Sequence, residues 1–530
     1  MKTFGEIVRF LKKLRMCIYS SDVSVDSEQV IISQLNQDHR QLKHGDLFIA
    51  MKGQQFDGHA YIEEAIGRGA VAVICEDLAK IKNEVLDLDK IYLIEVKDIR
   101  AHLSALSSWF YDDPCKNFKH CIGVTGTNGK TTISYFITQL LAYEGNKVAF
   151  LGTIGNGIYP GLEISSHTTL DAVSLQGKLR QFVDENANDM VMEVSSHALD
   201  QKRVANVNFD VAVFSNLDGD HLDYHGTLEH YFTAKKKLFE FDSIKMAVIN
   251  IDDIYGQRLA KELSFKRKKI ISTSIQDPEA DCYIRIDRVK NSGMDITLFW
   301  YGQPCFSTTV DLMGAYNIAN LASAVAVFLL LKIPSCRRQK IEDRRQGGMV
   351  LEYNNTFFTD LLNAVFGLRP APGRMEMLKR PGEPVVIIDF AHTSDALKKA
   401  LVALKTKSKG RLYCVFGCGG DRDRRKRAKM AKCAQRLADF IVITEDNNRL
   451  ESFDSIIEDM MPGLSDKKEN YRIIPDRKKA IEYALNQATK EDIVLLAGKG
   501  HERYIDHSGE KEPFDEREIV QHFWSRKHRL

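Results

Sequence analysis

The segment that most constrains this chain spans residues 123–132 and reads GVTGTNGKTT. The apolar run Cys121 to Val124 predicts a buried strand that leads into it, and apolar residues at helical spacing follow it from Ile133 to Leu141. Strand, glycine-rich turn and helix in this order form a phosphate-binding loop, because backbone N–H groups and the helix N-terminus attract phosphate. We expect Lys130 to reach the outer phosphates of a nucleotide and Thr131 to ligate Mg²⁺.

The loop is a variant of the usual pattern. The strict spacing places a glycine at position 124, where this chain has Val124, and extra glycines stand at 123 and 126. The alternative is an ordinary strand-to-helix turn. A cationic turn weakened by glycines is unfavourable without phosphate, which disfavours this alternative. The phosphates of a nucleotide are therefore expected to contact Gly126, Thr127, Asn128, Gly129, Lys130, Thr131 and Thr132.

Length and charge exclude several classes of protein. A chain of 530 residues suggests roughly three or four domains. Its 74 Lys and Arg residues nearly balance 72 Asp and Glu residues, so no overall field indicates nucleic acid or membrane as a partner. Ten cysteines form no disulfide framework and no zinc-type spacing. Free thiols are typical of a reducing cytoplasm, which is the expected location.

The sequence predicts no membrane-spanning segment. Charged residues interrupt the apolar ones in the first 13 residues, which predicts an amphipathic helix and not a secretory signal. The longest apolar segment, Ile318 to Leu331, contains two polar residues and is short for a bilayer span.

Two further strand ends carry polar residues that suit metal binding. The apolar strand 190–192 ends in Glu193 beside Ser195, Ser196 and His197, and burying such a carboxylate is costly without a partner such as a cation. A second strand ends in the loop 215–226, which contains two His and three Asp residues. From residue types alone, this loop fits a metal site and a solvated loop equally well.

Several motifs resemble one known family. Residues 126–132 resemble the ATP loop of the Mur ligases and of the folylpolyglutamate synthetases. Residues 220–226, which read DHLDYHG, and the following Ala234-Lys235 resemble the Mur ligase signature. Other motifs match in order along nearly the whole chain, so the sequence is identified as a member of the Mur ligase family, of the MurE type.

The resemblance implies the catalytic and ATP-binding residues. In this family the lysine at the position of Lys235 is carbamylated by CO₂, and the resulting anion holds a second Mg²⁺ beside the histidine at His221. The catalytic set is then Lys130, Glu193, His221 and Lys235, and the metal ligands are Thr131, Glu193, His221 and Lys235. Further ATP contacts are implied at Asn317, Arg374 and Asp389. Helix capping is the alternative role for Asn317.

The resemblance also implies two substrate sites. The first domain of the family holds the uridine diphosphate part of a muramoyl dipeptide, and this chain has His39 where the family has serine. That substrate is expected to contact His39, Thr168, Thr169, Ser195, Gln201 and Arg203. The alternative for Gln201 and Arg203 is an exposed polar face. An incoming diaminopimelate is expected to contact Arg422, Asp446, Asn447, Asn448, Arg449, Gly498 and Glu502.

Arg449 is the residue that favours diaminopimelate over lysine. The two amino acids differ by one carboxylate, and an arginine fork can hold a carboxylate through two bonds. The diaminopimelate-adding relatives read Asp-Asn-Pro-Arg here, and lysine-adding relatives lack the arginine. This chain has Asn448 in place of the proline, so the loop loses a fixed φ. The alternative is that Arg449 is a solvated loop residue.

The implied reaction is an ATP-dependent ligation in peptidoglycan synthesis, and hence in cell shape and cell division. ATP phosphorylates the D-glutamate carboxylate of UDP-N-acetylmuramoyl-L-alanyl-D-glutamate, and the amine of meso-diaminopimelate displaces phosphate. Three alternatives remain: a lysine-adding ligase, a ligase similar to folylpolyglutamate synthetase, and a catalytically weak, nucleotide-gated binding protein. The folylpolyglutamate synthetases lack the segments 45–50 and 446–449.

The resemblance implies an α/β fold in three domains. We expect a UDP-binding domain at 1–115, a central ATP-binding parallel-sheet domain of the P-loop ATPase type at 116–365, and a doubly wound, Rossmann-like amino-acid-binding domain at 366–530. A charged insertion is expected near 336–355. We expect a cytoplasmic monomer with small-molecule substrates, with ATP, two Mg²⁺ and CO₂ as lysine carbamate, and without nucleic acid or membrane.

Overall fold

A computed structural model describes residues 1–14, 18–20, 29–53, 57–80, 91–165, 167–265, 268–290, 293–333, 355–464 and 468–527. The chain forms two compact units. The first contains Met1–Gly123, Asn146–Val211 and Ala234–Ile244, and the second contains Val124–Gly145, Ala212–Thr233 and Lys245–Leu530. The predicted insertion at 336–355 lies outside the described residues except for its last residue.

The N-terminal part of the first unit is a small α/β layer. Its sheet has the strand order β2-β7-β6-β5-β4, and β1 pairs separately with β3. Helix α1 begins at a capping box, in which Thr3 and Glu6 exchange hydrogen bonds, and its amphipathic character confirms the prediction. The elements are β1 (Lys2–Thr3), α1 (Phe4–Lys13), β2 (Ile18–Ser20), β3 (Ile31–Ile32), β4 (Leu35–Asn36), β5 (Leu47–Ala50), α2 (Ile62–Gly67), β6 (Ala72–Cys75), β7 (Tyr92–Val96) and α3 (Ile99–Phe110).

Strands and helices alternate through the next stretch, as the apolar runs predict. They are β8 (His120–Thr125), α4 (Lys130–Tyr143), β9 (Val148–Gly152), β10 (Gly155–Ile158), β11 (Gly161–Glu163), α5 (Ala172–Asp184), β12 (Asp189–Glu193), α6 (Ser196–Asp200), β13 (Val211–Phe214), α7 (Leu222–His225), α8 (Leu228–Lys236) and β14 (Met246–Asn250). In the first unit, strands follow the order β11-β10-β9-β12, and β9 and β12 run parallel.

The second unit continues this alternation and then changes to antiparallel pairing. Its strands follow the order β13-β14-β15-β16-β17-β18; β14, β15 and β16 pair parallel, and β16, β17 and β18 pair antiparallel. The added elements are α9 (Ile254–Ser264), β15 (Lys269–Ser274), β16 (Cys282–Lys290), β17 (Gly293–Trp300), β18 (Gln303–Val310), α10 (Ala315–Lys332) and α11 (Asn355–Phe366).

Helix α10 corrects one expectation from the sequence. By length and composition, its 18 residues suffice to cross a membrane, so the argument that this segment is too short is wrong. The helix extends beyond the apolar run because Ala315, Tyr316, Asn317 and Lys332 also adopt helical geometry. Of its 18 residues, 72% are buried inside the protein, as is typical of a core helix.

The C-terminal sheet has the strand order β19-β20-β24-β21-β22-β23, parallel apart from the edge strand β19. Its elements are β19 (Glu376–Leu378), β20 (Val385–Asp389), α12 (Ser394–Lys405), β21 (Leu412–Phe416), α13 (Arg425–Leu437), β22 (Phe440–Ile443), α14 (Phe453–Met460), β23 (Tyr471–Ile473), α15 (Arg477–Gln487), β24 (Ile493–Ala497), β25 (Tyr504–His507), β26 (Glu510–Pro513) and α16 (Glu516–Lys527).

Helices cover both faces of this sheet. Alternate strand residues enter two separate cores: Cys414 packs in the core that contains Leu401 and Ala431, and Val415 packs in the core that contains Ile481 and Trp524. The prediction of a doubly wound α/β region is therefore confirmed. Because β20, β21, β22 and β24 run parallel, the loops that follow them meet at one edge of the sheet.

Candidate active site

Two glycines give the loop between β8 and α4 its shape. Gly126 has a φ of 145° and Gly129 a φ of 89°, conformations that side-chain-bearing residues rarely adopt. A Cβ atom on Gly126 would lie 1.9 Å from the Ser215 hydroxyl, and one on Gly129 would lie 2.4 Å from Asn320 Oδ1. The loop therefore depends on glycine for both its backbone conformation and its packing.

Side chains of the second unit fix the rest of this loop. The hydroxyl of Thr127 accepts a hydrogen bond from the backbone N–H of Asp218 at 2.9 Å and lies 3.3 Å from the Tyr231 hydroxyl. Lys130 Nζ donates to the carbonyl oxygens of Gly126 and Thr127 at 3.0 and 2.9 Å. The lysine thus lies over the loop, where its ammonium can meet phosphate.

A cavity of about 690 Å³ in the second unit opens beside this loop. A volume of this size accommodates a nucleotide-sized ligand. Among the residues predicted to bind ATP, its lining includes Asn128, Gly129, Thr132, Asn317, Arg374 and Asp389.

Arg374 and Asp389 lie together at this cavity. Arg374 NH2 donates to the Thr131 hydroxyl at 3.2 Å, and its guanidinium lies 4.5 Å from the centre of the Phe390 ring. Asp389 Oδ2 accepts a hydrogen bond from the backbone N–H of Met375 at 2.7 Å. Burial raises the pKa of Asp389 to about 6, although the charge of Arg374 acts in the opposite direction.

In the first unit, Glu193 ends β12 as a buried carboxylate with 0% exposure. Its Oε1 accepts from the Thr153 backbone N–H at 2.7 Å, and its Oε2 from the Thr153 hydroxyl at 3.1 Å. The Thr168 hydroxyl lies 3.0 Å from that of Thr153. These contacts hold an anion in a fixed position at the end of a strand.

The residues predicted to bind the muramoyl dipeptide extend from Glu193. The Thr169 hydroxyl donates to the Glu193 carbonyl at 2.8 Å and accepts from the Ser195 backbone N–H at 3.1 Å. Arg203 donates to the Thr169 carbonyl at 3.1 Å and, through Nε and NH2, to Gln201 Oε1 at 2.9 and 2.6 Å. Gln201 and Arg203 are only partly exposed, so they do not form the open polar face considered as the alternative.

His39 lies elsewhere in the first unit. Its ring stacks on Tyr61 with centroids 4.3 Å apart and planes 5° apart, and its Nε2 lies 3.5 Å from Glu64. Tyr61 was not among the predicted contacts.

His221 and Lys235 follow β13 in the chain. His221 precedes α7 with a left-handed φ of 55°, and its Nε2 lies 3.6 Å from Asp220 Oδ2. Lys235 lies near the end of α8 and is 1% exposed. A lysine this deeply buried needs a partner for its charge or a chemical change that removes the charge.

The residues predicted to bind the incoming amino acid cluster after β22 and β24. Asn447 Nδ2 donates to Glu502 Oε2 at 2.9 Å. Lys499, which has 0% exposure, donates to Asn447 Oδ1 at 2.7 Å and lies 3.0 Å from Glu502 and 3.9 Å from Asp446. Burial raises the pKa of Asp446, but the charges of Lys499 and Arg477 outweigh it and lower the pKa.

Arg449 and Arg422 supply positive charge beside this cluster. Arg449 NH1 donates to the Gly420 carbonyl at 2.6 Å. A Cβ on Gly419 would lie 3.0 Å from Arg449 NH1 and 3.9 Å from Arg422 Cγ, so the two arginines lie near each other. Desolvation and the charge of Arg449 both lower the pKa of Arg422. Asn448 is buried, and its Nδ2 lies 3.5 Å from Glu445 Oε2. Two adjacent cations suit a carboxylate ligand.

Three residues of these clusters were not predicted: Thr153, Tyr231 and Lys499. Thr153 and Tyr231 contact predicted residues 40 and 104 positions away in the chain, so no local spacing signals their roles. Lys499 lies between Gly498 and Glu502, and only its complete burial in the structure distinguishes it from a loop lysine.

Comparison with known families gives three matches along the chain. Residues 32–111 match the Mur ligase family catalytic domain, residues 124–328 the Mur ligase middle domain, and residues 373–500 the Mur ligase glutamate ligase domain. These ranges contain the candidate ATP loop, the Glu193 strand end and most of the amino-acid cluster.

Individual relatives are similar over most of their length. The UDP-N-acetylmuramoyl-L-alanyl-D-glutamate–2,6-diaminopimelate ligase of Pseudomonas aeruginosa is 40% identical over 92% of this chain and 94% of its own. The ligase of the same name from Coxiella burnetii is 38% identical over 92% of this chain and 94% of its own. A solved structure of a ligase of that name is 34% identical, covers 96% of this chain and 97% of its own, and has a TM-score of 0.61. The chain belongs to the Mur ligase family.

Proposed function

We propose that this protein joins meso-diaminopimelate to the D-glutamate of UDP-N-acetylmuramoyl-L-alanyl-D-glutamate, at the expense of ATP, in peptidoglycan synthesis. The observation that carries the proposal is that Arg449 and Arg422 both lie close to Gly419, while Asn447, in the same loop as Arg449, contacts the acidic Glu502. The chain is also 37–40% identical to ligases named for this reaction. Such a cluster offers cations for a distal carboxylate and anions for its ammonium.

The chemistry requires activation of a carboxylate, which is a poor electrophile. A D-glutamate oxygen attacks the γ-phosphorus of ATP, and ADP leaves to give an acyl phosphate. The amine nitrogen of diaminopimelate then attacks the acyl carbon, loses a proton, and expels inorganic phosphate from the tetrahedral intermediate. The protein contributes position and charge neutralisation more than covalent chemistry.

The cavity beside the glycine-rich loop is the proposed ATP site. Lys130 and the N-terminus of α4 attract the outer phosphates. The 3.2 Å contact between Arg374 and Thr131 brings a second cation to the same loop. Asp389 is placed to accept hydrogen bonds from the nucleotide, and Asn317 lines the same cavity.

The donor set suits magnesium, which prefers oxygen ligands and takes several of them from phosphate and water. By resemblance to the family, Thr131, Glu193, His221 and carbamylated Lys235 are the proposed magnesium ligands. Among the described residues, no group of three or more His, Cys, Asp or Glu side chains is arranged to hold a metal by itself. Bound magnesium would neutralise phosphate oxygens during transfer.

Carbamylation of Lys235 fits its burial. A neutral lysine amine adds to CO₂, loses one proton, and becomes an anion that resembles a carboxylate. This change replaces a buried cation by a metal-binding oxygen pair.

The remaining expectations are proposed with the function. We propose domains at 1–115, 116–365 and 366–530, and a cytoplasmic monomer that acts on small molecules without nucleic acid or membrane. The muramoyl dipeptide is proposed to contact His39, Thr168, Thr169, Ser195, Gln201 and Arg203.

An amino-acid panel tests the function. Purified protein is given ATP, Mg²⁺ and the muramoyl dipeptide, and the ligated product and ADP are measured with meso-diaminopimelate, lysine and other amino acids. We expect turnover with diaminopimelate and little with lysine. In Arg449→Ala, turnover with diaminopimelate should fall by about tenfold or more, because a charge-assisted contact is worth roughly 1.5–3 kcal/mol.

Lys511→Ala is the matched control, because Lys511 is an exposed cation on the nearby strand β26. Its turnover should equal that of the wild type. A wild type that prefers lysine, or full diaminopimelate turnover by Arg449→Ala, would show that the amino-acid pocket is misassigned. ADP formation without product would favour a nucleotide-gated binding protein.

A further inference from the structure

The loop that carries Arg449 has asparagine, Asn448, directly before the arginine. Unlike proline, asparagine does not fix φ, so it leaves the loop more conformations. The φ of Asn448 is not positive, and its N–H makes no hydrogen bond within the described part of the chain. Contacts from outside the loop must therefore order it.

Arg449 has a strained backbone conformation. Its φ is 51°, in the left-handed region that is unfavourable for a residue with a side chain. Such a conformation persists only where surrounding contacts impose it. The direction of the Arg449 side chain depends on this conformation, so whatever imposes it also places the guanidinium.

The hairpin β25–β26 makes these contacts. The Arg449 N–H donates to the Asp506 carbonyl at 3.0 Å, and the Ser508 N–H donates to the Arg449 carbonyl at 2.7 Å. The Asp506 N–H donates to Asn447 Oδ1 at 3.0 Å. The hairpin thus binds Arg449 on both sides and also holds the side chain of Asn447.

One side-chain pair fastens the hairpin to the base of the loop. His507 Nε2 lies 2.9 Å from Glu445 Oε2, and Glu445 directly precedes Asp446. This contact raises the pKa of His507, so the pair is charged over more of the neutral range. The same Glu445 oxygen lies 3.5 Å from Asn448 Nδ2, so the pair also contacts the residue that precedes Arg449.

We propose that His507, through its pairing with Glu445, is a positioning residue that holds the hairpin against residues 447–449 and so sets the Arg449 side chain for the amino-acid substrate. The proposal rests on the proposed function for the identity of the substrate, but the order of the loop can be measured without it.

The experiment compares His507→Ala, Asn448→Pro and the double variant with the wild type. In His507→Ala, the KM for diaminopimelate should rise about tenfold, because the strained conformation must then be re-formed on binding, while the KM for ATP stays unchanged. In the double variant, the proline orders the loop again, and the KM should return to within about threefold of the wild type. Asn448→Pro alone measures the effect of the proline itself, and the KM of the double variant is compared with it.

Hydrogen exchange provides a measurement that does not need activity. The amides of Arg449 and Ser508, which bond across the hairpin contact, should exchange faster in His507→Ala and recover protection at Arg449 in the double variant. Glu518→Gln is the matched control: Glu518 is an exposed carboxylate on α16 and takes no part in the hairpin contact, so neither KM nor exchange should change.

The outcomes separate the two proposals. A wild type that ligates no amino acid would overturn the proposed function, and the exchange data would then decide the role of His507. Normal KM and exchange in His507→Ala would overturn the positioning role. A KM that rises in His507→Ala and stays high in the double variant would also overturn it, because the effect would then not act through loop order.

Discussion

At the residue scale, the most informative feature is a small set of buried ionisable side chains. Glu193 and Lys235 are 0% and 1% exposed, and Lys499 is also fully buried. Burying an ionised group is costly unless it is paired or chemically altered, so each of these residues indicates a specific partner. For Lys499 the partners are Asn447 and Glu502; for Glu193 they include Thr153.

Lys235→Ala should abolish ligation, because it removes the proposed carbamate. Bicarbonate cannot carbamylate alanine, but a short carboxylic acid that fills the space should restore part of the activity. Product formation with and without added acetate or propionate measures this. Lys236→Ala is the matched control, since Lys236 is the neighbouring lysine of α8 and is not fully buried. Full activity of Lys235→Ala without additive would contradict the carbamate proposal.

The strand-to-helix turn between β8 and α4 is the element on which nucleotide binding depends. Gly126→Ala should lower ATP affinity and stability together, because the added Cβ would lie 1.9 Å from the Ser215 hydroxyl at a φ of 145°. Overpacking of this kind costs about 1–3 kcal/mol. Nucleotide titration and thermal unfolding measure the two effects.

Gly67→Ala provides the comparison for this turn. A Cβ on Gly67 meets no atom within 4 Å, and its φ is not positive. This variant should bind ATP and unfold as the wild type does. Equal ATP affinity of Gly126→Ala and wild type would show that the loop tolerates a side chain and that the assigned geometry is wrong.

Arg477 connects three elements of the C-terminal sheet region. Its guanidinium donates to the Glu445 carbonyl at 3.0 Å, to the Ala497 carbonyl at 2.9 Å and to Glu516 Oε1 at 2.9 Å. Both partners in the pair with Glu516 are at most 1% exposed. The pair therefore ties the ends of β22 and β24 to the start of α16.

Arg477→Met should destabilise the protein by about 3–5 kcal/mol, because it leaves the Glu516 carboxylate buried without its cation. The double variant Arg477→Met/Glu516→Leu should recover much of this loss, since it removes the charge as well. Thermal and urea unfolding measure both variants. Arg526→Met is the control: its pair with Glu482 is exposed and should contribute less than about 1 kcal/mol. Similar melting temperatures for Arg477→Met and Arg526→Met would contradict this account.

At the scale of the whole molecule, two half-buried histidines contribute to the response to acid. Burial lowers the pKa of His392 to about 4 and of His501 to about 3, from an ordinary 6.5. The unfolded chain therefore binds protons at these residues before the folded protein does, and stability falls as the pH drops from 6.5 towards 4. Asp389 has the opposite effect on stability, because its pKa is raised to about 6. Between about pH 6 and 4, the folded protein binds this proton more readily than the unfolded chain, so stability rises as the pH falls.

The melting temperature should therefore fall between pH 7 and pH 4.5, since two histidines outweigh one carboxyl group. His501→Gln should have a shallower dependence on pH, because it removes one of the two titrating groups. His522 is exposed, so the melting temperature of His522→Gln should depend on pH as that of the wild type does. A melting curve for His501→Gln that falls as steeply as that of the wild type would contradict the assignment to His501.

The sequence by itself determined the elements and the chemistry available at their ends. Apolar runs and helical spacing predicted β8, α4 and the alternating C-terminal strands, because burial imposes a period on local sequence. The motif at 126–132 and the segment at 220–226 identified the family. Element ends were less well placed: the apolar run Ile318 to Leu331 lies inside α10, which spans Ala315–Lys332.

Only the tertiary structure decided which of these residues meet. Arg374 contacts Thr131 across 243 positions, and Thr153 contacts Glu193 across 40. Arg449 likewise has a left-handed conformation because its loop packs against the hairpin β25–β26, which donates and accepts its backbone hydrogen bonds. Such contacts depend on loop paths in three dimensions, whereas local patterns record only which side of an element is buried. The sequence therefore identified the candidate reacting groups, and the tertiary structure determined the distances between them and the shifts in their pKa values.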